Sequence, residues 1–277
     1  MRQKSILITG CSTGIGHDAA HALKARGWRV FATCRKEADC ARLNEGGLES
    51  FRLDYEDEDS IKAAVQETLT RTDGTLDALF NNGAYAIPGA VEDLSRDALR
   101  AIFEANLFGW QDLTNRLIPV MRQQGHGRIV QCSSVLGFVA AKWRGAYVAS
   151  KYALEGLSDT LRMELRPSGI QVILIEPGPI RSEFRNNARL QFEKWIDWES
   201  SALSGLYRDK LLDRLNEAGK KKDAFELPAS AVTKKLIHAL ESPRPHPRYF
   251  VTTPTYGANM IRRLLSTRLS DRILSSD

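Results

Sequence analysis

Cysteine is scarce: the 277-residue chain has four, Cys11, Cys34, Cys40 and Cys132. None forms a CxxC pair and none stands beside a histidine at zinc-ligand spacing, which argues against a disulfide scaffold and a zinc centre. Free thiols in a reducing cytoplasm are expected. Long apolar runs are also missing. No stretch approaches the roughly 20 residues a membrane-crossing helix needs. The basic Met1–Lys4 segment is followed only by Ile6–Ile8, too short for a secretory signal. A soluble, cytoplasmic protein is expected. Charge of one sign is in slight excess, +5 from 39 Lys and Arg against 34 Asp and Glu. The two signs alternate along the chain, so a solvated surface is favoured over a nucleic-acid interface. No internal repeat and no linker rich in Pro, Gly or Ser is seen, so one domain is expected.

Short β-branched apolar runs alternate with segments of helical period. Strands are expected at 5–9, 29–34, 48–53, 76–81, 128–133, 171–176 and 248–252. Helices are expected at 17–26, 60–70, 97–123, 147–166 and 229–241. Strands that are apolar almost throughout, separated by helices, predict an α/β fold: a doubly wound, mostly parallel Rossmann-like sheet with helices on both faces. Residues 1–180 would form the cofactor-binding and catalytic core. Residues 181–228 interrupt the alternation with Phe184, Phe192, Trp195, Trp198 and Tyr207 among many charges. That many aromatics argue against disorder. A helical substrate lid is preferred, with an oligomer contact as the rival.

Directly after the first strand comes Thr9-Gly10-Cys11-Ser12-Thr13-Gly14-Ile15-Gly16, opening a helix. A sharp turn, close approach to a pyrophosphate and tight helix–strand packing all call for glycine there. The helix N-terminus supplies free N–H groups and a positive dipole end for phosphates. Gly10, Ser12, Thr13, Gly14, Ile15 and Gly16 are therefore candidate cofactor residues. An NAD site places an acid about 20 residues beyond the glycines. Here that place is Cys34, followed by Arg35 and Lys36. A guanidinium suits a 2′-phosphate bidentately, so Arg35 favours NADP(H). Glu37 and Asp39 nearby keep NAD(H) open. Asp54, past the third strand, is placed to touch the adenine edge.

Tyr147-Val148-Ala149-Ser150-Lys151 begins a helix, and four residues at 1.5 Å rise put Tyr147 and Lys151 on one face, roughly 6 Å apart along the axis. Ser134 ends a strand upstream, at the sheet edge that borders the ligand crevice. A tyrosine with a pKa of about 10 is a poor proton acceptor near neutrality. A neighbouring ammonium stabilises the phenolate and lowers that value. Tyr147 would exchange the proton of an alcohol/carbonyl pair, and Ser134 would fix the reacting oxygen.

With these residues in place the chain resembles the short-chain dehydrogenase/reductase family. The TGxxxGxG turn is Thr9, Gly10, Gly14 and Gly16. The Asn-Asn-Ala-Gly after the fourth strand is Asn81-Asn82-Gly83-Ala84, its last two residues exchanged, a departure expected to touch the adenine-side backbone. The helix asparagine is Asn106, the serine thirteen residues before the tyrosine is Ser134, and the Tyr-xxx-Lys pair is Tyr147 and Lys151. Pro177-Gly178 follows the sixth strand. The resemblance implies that Asn106 helps hold a water linking Lys151 to solvent and that Lys151 also bonds the nicotinamide ribose. It implies that Asn82, Tyr147, Pro177, Gly178 and Ile180 contact the cofactor and that the protein is a homo-oligomer. Phe31-Ala32-Thr33-Cys34-Arg35 resembles members acting on steroids and retinoids with NADP(H).

The substrate is expected to be a lipophilic alcohol or carbonyl, met by loop 135–146 and the lid. The aromatics serve either as substrate wall or as lid packing. The C-terminal segment 258–277 has helical apolar spacing with an arginine-rich face. It could cap the pocket, pack on a second subunit or touch an anionic membrane surface, the last not favoured. Two rival functions stand beside the oxidoreductase: a dinucleotide-sensing binding protein without turnover, and epimerisation or dehydration of a nucleotide sugar.

Overall fold

The computed structural model describes residues 2–216 and 224–275. Residues 217–223 of the expected lid and 276–277 of the expected C-terminal segment lie outside the described residues.

Seven strands form one all-parallel sheet: β1 (Ser5–Ile8), β2 (Arg29–Cys34), β3 (Glu49–Arg52), β4 (Ala78–Asn81), β5 (Gly127–Cys132), β6 (Ile170–Glu176) and β7 (Arg248–Phe250), in the order β3-β2-β1-β4-β5-β6-β7. The order reverses between β1 and β4, and the crevice beyond the C-terminal ends of those strands is where such sheets bind ligands. Every residue of β1 and β4 is buried. That follows from helices on both faces, which leave no polar side for a strand to show. On one face α1 (Gly14–Ala25) packs with Val232 and Leu236 around Ile6, Ile8, Val30 and Phe80. On the other, Ile61 and Val65 of α3 (Glu58–Arg71) meet Leu113 and Leu117 over Leu7, Phe31 and Leu79. Burial of these side chains, each contributing about 1.5–3 kcal/mol, drives the layers together.

Two differences from the expected elements have local causes. Helix α2 (Glu37–Glu45) has no counterpart among the expected elements, because only Cys40 and Leu43 of its nine residues are buried and the apolar period is too sparse to read. The single helix expected over 97–123 is α4 (Arg96–Phe103), a wide π-turn at Glu104–Phe108, and α5 (Gly109–Gln124). The π-turn surrounds buried Asn106, whose Oδ1 accepts from Tyr85 N (3.1 Å) and whose Nδ2 donates to Tyr85 O (2.9 Å) and Ser150 Oγ (3.2 Å). Satisfying those groups costs the regular i→i−4 ladder, and π-turns concentrate where a side chain must be re-aimed.

Beyond α6 (Gly145–Glu164), the described part of segment 181–228 is mainly helical: α7 (Phe184–Trp195), a short turn α8 (Ser204–Leu206), a π-turn at Tyr207–Leu212, and α9 (Asp213–Asn216). Phe192, Ile196, Tyr207 and Leu211 bury themselves with Ile87, Ile102 and Tyr147. The aromatics of this segment therefore serve packing first: Tyr207 is fully buried, packs its ring at a tilt on Trp143 (4.9 Å between ring centres) and donates its hydroxyl to Asp93 (2.6 Å). After α10 (Ser230–Glu241), the chain ends in α11 (Thr253–Leu264) and α12 (Thr267–Ser275), so the amphipathic segment is two helices broken at Leu265, which is extended. Ala258 and Leu274 pack on Phe138 and Val139 of the turn below the cavity, while Met260 and Leu264 are exposed. No described helix is long and apolar enough to cross a membrane.

Candidate active site

A cavity of about 460 Å³ lies at the point where the strand order reverses. One wall is the glycine turn. Gly10 and Gly14 have φ of 66° and 63°, the left-handed region that favours glycine. A Cβ at Gly10 would stand 2.6 Å from Gly83 Cα, and one at Gly16 would stand 2.4 Å from Gly10 O. Gly83 itself has room for a Cβ, at 3.4 Å from its nearest neighbours, so the exchanged Gly83-Ala84 pair leaves the turn's packing intact. Thr9 Oγ1 ties the two segments together by accepting from Asn82 N (2.9 Å) and Gly83 N (3.2 Å).

The turn opens into α1 with Thr13 as N-cap, which makes no side-chain capping bond, and with no acid in the first turn. Its terminal N–H groups and positive dipole end are thus uncancelled, and they fit a pyrophosphate. Arg42 of α2, unforeseen in the sequence, braces the turn by donating to Ser12 O (2.8 Å) and pairing with Asp39 (3.0 Å).

The opposite wall carries the reactive side chains. Ser134 follows β5 and lines the cavity with Tyr147, and its Oγ accepts from Leu136 N (3.1 Å). Lys151, one helical turn beyond Tyr147, is 1% exposed. Its Nζ donates to Cys132 O (2.9 Å), lies 4.1 Å from the Trp110 ring centre and 5.7 Å from that of Tyr147. Burial pushes the Lys151 ammonium down to about 8, against a smaller opposing pull from Cys132 and Glu155. Burial also raises the Tyr147 phenol well above its ordinary value, with the Ser134 hydroxyl opposing. The lowering expected from Lys151 is not seen: Tyr147 is a phenol that keeps its proton, poised to donate it.

Of the residues read from the sequence, Gly10, Ser12, Thr13, Gly14, Ile15, Asn82, Ser134, Tyr147, Lys151, Pro177, Gly178 and Ile180 line this one cavity. Four do not. Gly16 packs beneath the turn. Asn106 lies behind the cavity, its amide bonded to Tyr85 and Ser150, which ties the Tyr85 loop to α6. Arg35 is exposed just past β2, with Glu56 and Tyr85 within electrostatic reach. Asp54 is engaged locally, one oxygen accepting from Glu56 N (3.2 Å) and the other paired with Arg52 (3.3 Å). Gly178 has a second reason to be glycine, since a Cβ would meet Thr252 Oγ1 at 2.1 Å.

Behind Ser134 and Lys151 lies a charge cluster that sequence reasoning missed. Arg248 of β7 bonds Glu155, Glu176 and Asp159 (2.6 Å to the last), and Glu176 is fully buried. Burial raises Glu176 to about 8, reinforced by the charge of Glu155. The three acids and the arginine come from 155–176 and 248, a separation no local pattern reveals. No group of three or more His, Cys, Asp and Glu that could hold a metal ion occurs among the described residues.

The comparisons with known proteins agree with this geometry. The chain matches the family described as short chain dehydrogenase over residues 4–192. It is 42% identical to an uncharacterized oxidoreductase, YbbO, of Escherichia coli strain K12, across 98% of this chain and 94% of that protein. It is 34% identical to mouse retinol dehydrogenase 7, across 90% and 80%. Among solved structures, a short-chain dehydrogenase/reductase from Burkholderia phymatum in complex with NAD superposes with a TM-score of 0.78 at 25% identity, covering 99% of this chain and 96% of that one. The chain belongs to the short-chain dehydrogenase/reductase family of oxidoreductases.

Proposed function

We propose that the protein interconverts a lipophilic alcohol and its carbonyl, with NADP(H) as the preferred cofactor. One observation carries the reading: Ser134, Tyr147 and buried Lys151 face a glycine turn across a single cavity. When bound, a nicotinamide dinucleotide supplies or accepts the hydride. In reduction, Tyr147 Oη donates its proton to the carbonyl oxygen, and the Ser134 hydroxyl holds that oxygen in line. The phenolate left behind is stabilised by the Lys151 ammonium, and oxidation runs the same transfers in reverse. The relative named as a retinol dehydrogenase supports a lipophilic substrate class.

The preference for NADP(H) rests on the chain's own residues. Cys34 fills the position of the ribose-binding acid and is buried, while Arg35 offers an exposed guanidinium beside it. Fluorescence titration is expected to show tighter binding of NADPH than of NADH. Arg35→Asp is expected to weaken NADPH by about tenfold or more, the worth of a charge-assisted hydrogen bond. A wild-type preference for NADH sinks the Arg35 argument. NADPH binding without turnover across a broad panel of carbonyls and alcohols would instead favour the sensing protein. A cytoplasmic location accords with four buried free thiols, and homo-oligomerisation with exposed Phe108 at the π-turn and exposed Leu157 and Met163 on α6.

A further inference from the structure

Three arginines from distant parts of the chain converge on the substrate end of the cavity. Arg144 precedes α6 by one residue, Arg185 stands on α7 and Arg214 on α9, and all three line the cavity. Arg144 as a whole is half-buried, but its Nη1 is shielded from solvent with no hydrogen-bond partner. A buried guanidinium nitrogen left unbonded is costly, and an Arg almost never sits so without a partner.

Its charged neighbours make this worse. The charges of Arg214 and Arg185 add to burial in pushing Arg144 down to about 10. Among the described residues, the acid acting on Arg185 is Glu226, which also pairs with Arg181 at 3.3 Å. The backbone is held in a costly shape to aim Arg144. Trp143, immediately before it, has φ of 64°, a left-handed conformation that costs a bulky residue and persists at functional sites. Trp143 is fixed by its O accepting from Gly89 N (3.1 Å) and by ring packing on Tyr207.

We infer that the substrate is an amphiphile: a carbonyl or alcohol on an apolar chain that ends in an anionic group, which Arg144 receives between the lid arginines. The apolar chain would run along Ala86, Leu136, Phe184 and Ala188, which share the cavity with the three arginines. An anion there turns repulsion between core and lid into attraction, so substrate binding also draws the lid down. The cofactor's pyrophosphate is served by the glycine turn and the α1 N-terminus on the other wall, which leaves the arginines for a second anion. Carboxylate, sulfonate and phosphate share the required chemistry.

This inference rests on the oxidoreductase reading, and the test separates the two. With saturating NADPH, 4- to 8-oxodecanoates are compared with their methyl esters. The acid of at least one pair should exceed its ester by tenfold or more in kcat/KM. Arg144→Met should collapse that ratio toward unity, and Arg144→Lys should retain part of it. Independently of turnover, 1-octanesulfonate should raise the wild-type Tm more than 1-octanol does, and lose that advantage in Arg144→Met. The Tm of unliganded Arg144→Met should equal or exceed wild type, since an unpartnered buried charge is removed; a structural arginine would give a drop. An ester preference, or an acid-to-ester ratio and sulfonate effect unmoved by Arg144→Met, overturns the inference. So does a loss of NADPH affinity in Arg144→Met with the acid preference intact, which would assign the arginines to the cofactor. If no carbonyl of any charge is reduced while the sulfonate effect holds, the oxidoreductase reading fails and the anion site stands.

Discussion

Replacing Tyr147 by Phe is expected to cut kcat for carbonyl reduction by about 10²–10⁴-fold, the usual worth of a positioned proton donor. The ring is retained, so its edge contact with Phe184 (5.4 Å) and its place in the lid cluster survive. NADPH affinity and Tm should change little, which separates a chemical loss from a folding one. Ser134→Ala should be costly as well, because the hydroxyl lines the cavity beside the phenol and orients the substrate oxygen. The pH profile carries the second signature. Tyr147 holds its proton throughout the neutral range, so protonation of the phenol does not limit reduction. Lys151, however, loses its charge as pH rises through about 8. Reduction should therefore be flat below that pH and fall above it. Lys151→Arg, whose guanidinium stays charged, should move the fall upward; a profile still breaking near 8 in that variant would assign the ionisation elsewhere.

Arg248→Met is expected to be the most destabilising single substitution at the rear of the site. It strands Glu155 and Glu176 without their cation, and breaking a buried pair in this way costs about 3–5 kcal/mol. For a chain of this size that corresponds to a fall in Tm of roughly 10 °C, read by circular dichroism or calorimetry. The loss has a definite pH dependence. Glu176 has a folded-state value raised to about 8, above its ordinary 4.5. A group raised in this sense contributes stability in full below its unfolded value and loses it as pH rises through the folded one. The Tm deficit of Arg248→Met should accordingly be larger at pH 8.5 than at pH 5. Adding Glu176→Gln should recover part of it at the higher pH, since a neutral amide needs no counter-ion. A deficit independent of pH would mean that Arg248 acts through packing of its stem rather than through charge.

The parts of this molecule that were legible in the sequence are those governed by short-range rules. All seven strands are foreseen to within about two residues, because a parallel sheet buried on both faces demands unbroken apolar runs such as Ile6–Ile8 and Val172–Ile175. Ser134, Tyr147 and Lys151 meet in one wall as their spacing on a strand end and a helix turn dictates. The glycine turn is legible for the same reason: Gly10 and Gly14 are fixed by local backbone geometry.

What escaped depends on contacts between distant segments. Asn106 lies in a helical stretch, and nothing near it announces that Tyr85 will draw it inward and widen the helix. Arg144, Arg185 and Arg214 are separated by dozens of residues, and each alone resembles a surface cation. Burial also reversed one expectation outright. Proximity of Lys151 predicted a lowered phenol at Tyr147, but burial raises the phenol and lowers the ammonium, each shift disfavouring the charged form.

Tyr147 is expected to protonate an oxygen while hydride passes to the adjoining carbon. NADPH deuterated at the transferable position of the nicotinamide ring, any accepted ketone, and mass spectrometry of the alcohol formed test both transfers together. One deuterium should appear on the carbinol carbon, be retained after exchange in ordinary water, and form more slowly by orders of magnitude in Tyr147→Phe. An alcohol free of label, or labelled at the wild-type rate by Tyr147→Phe, would contradict this mechanism.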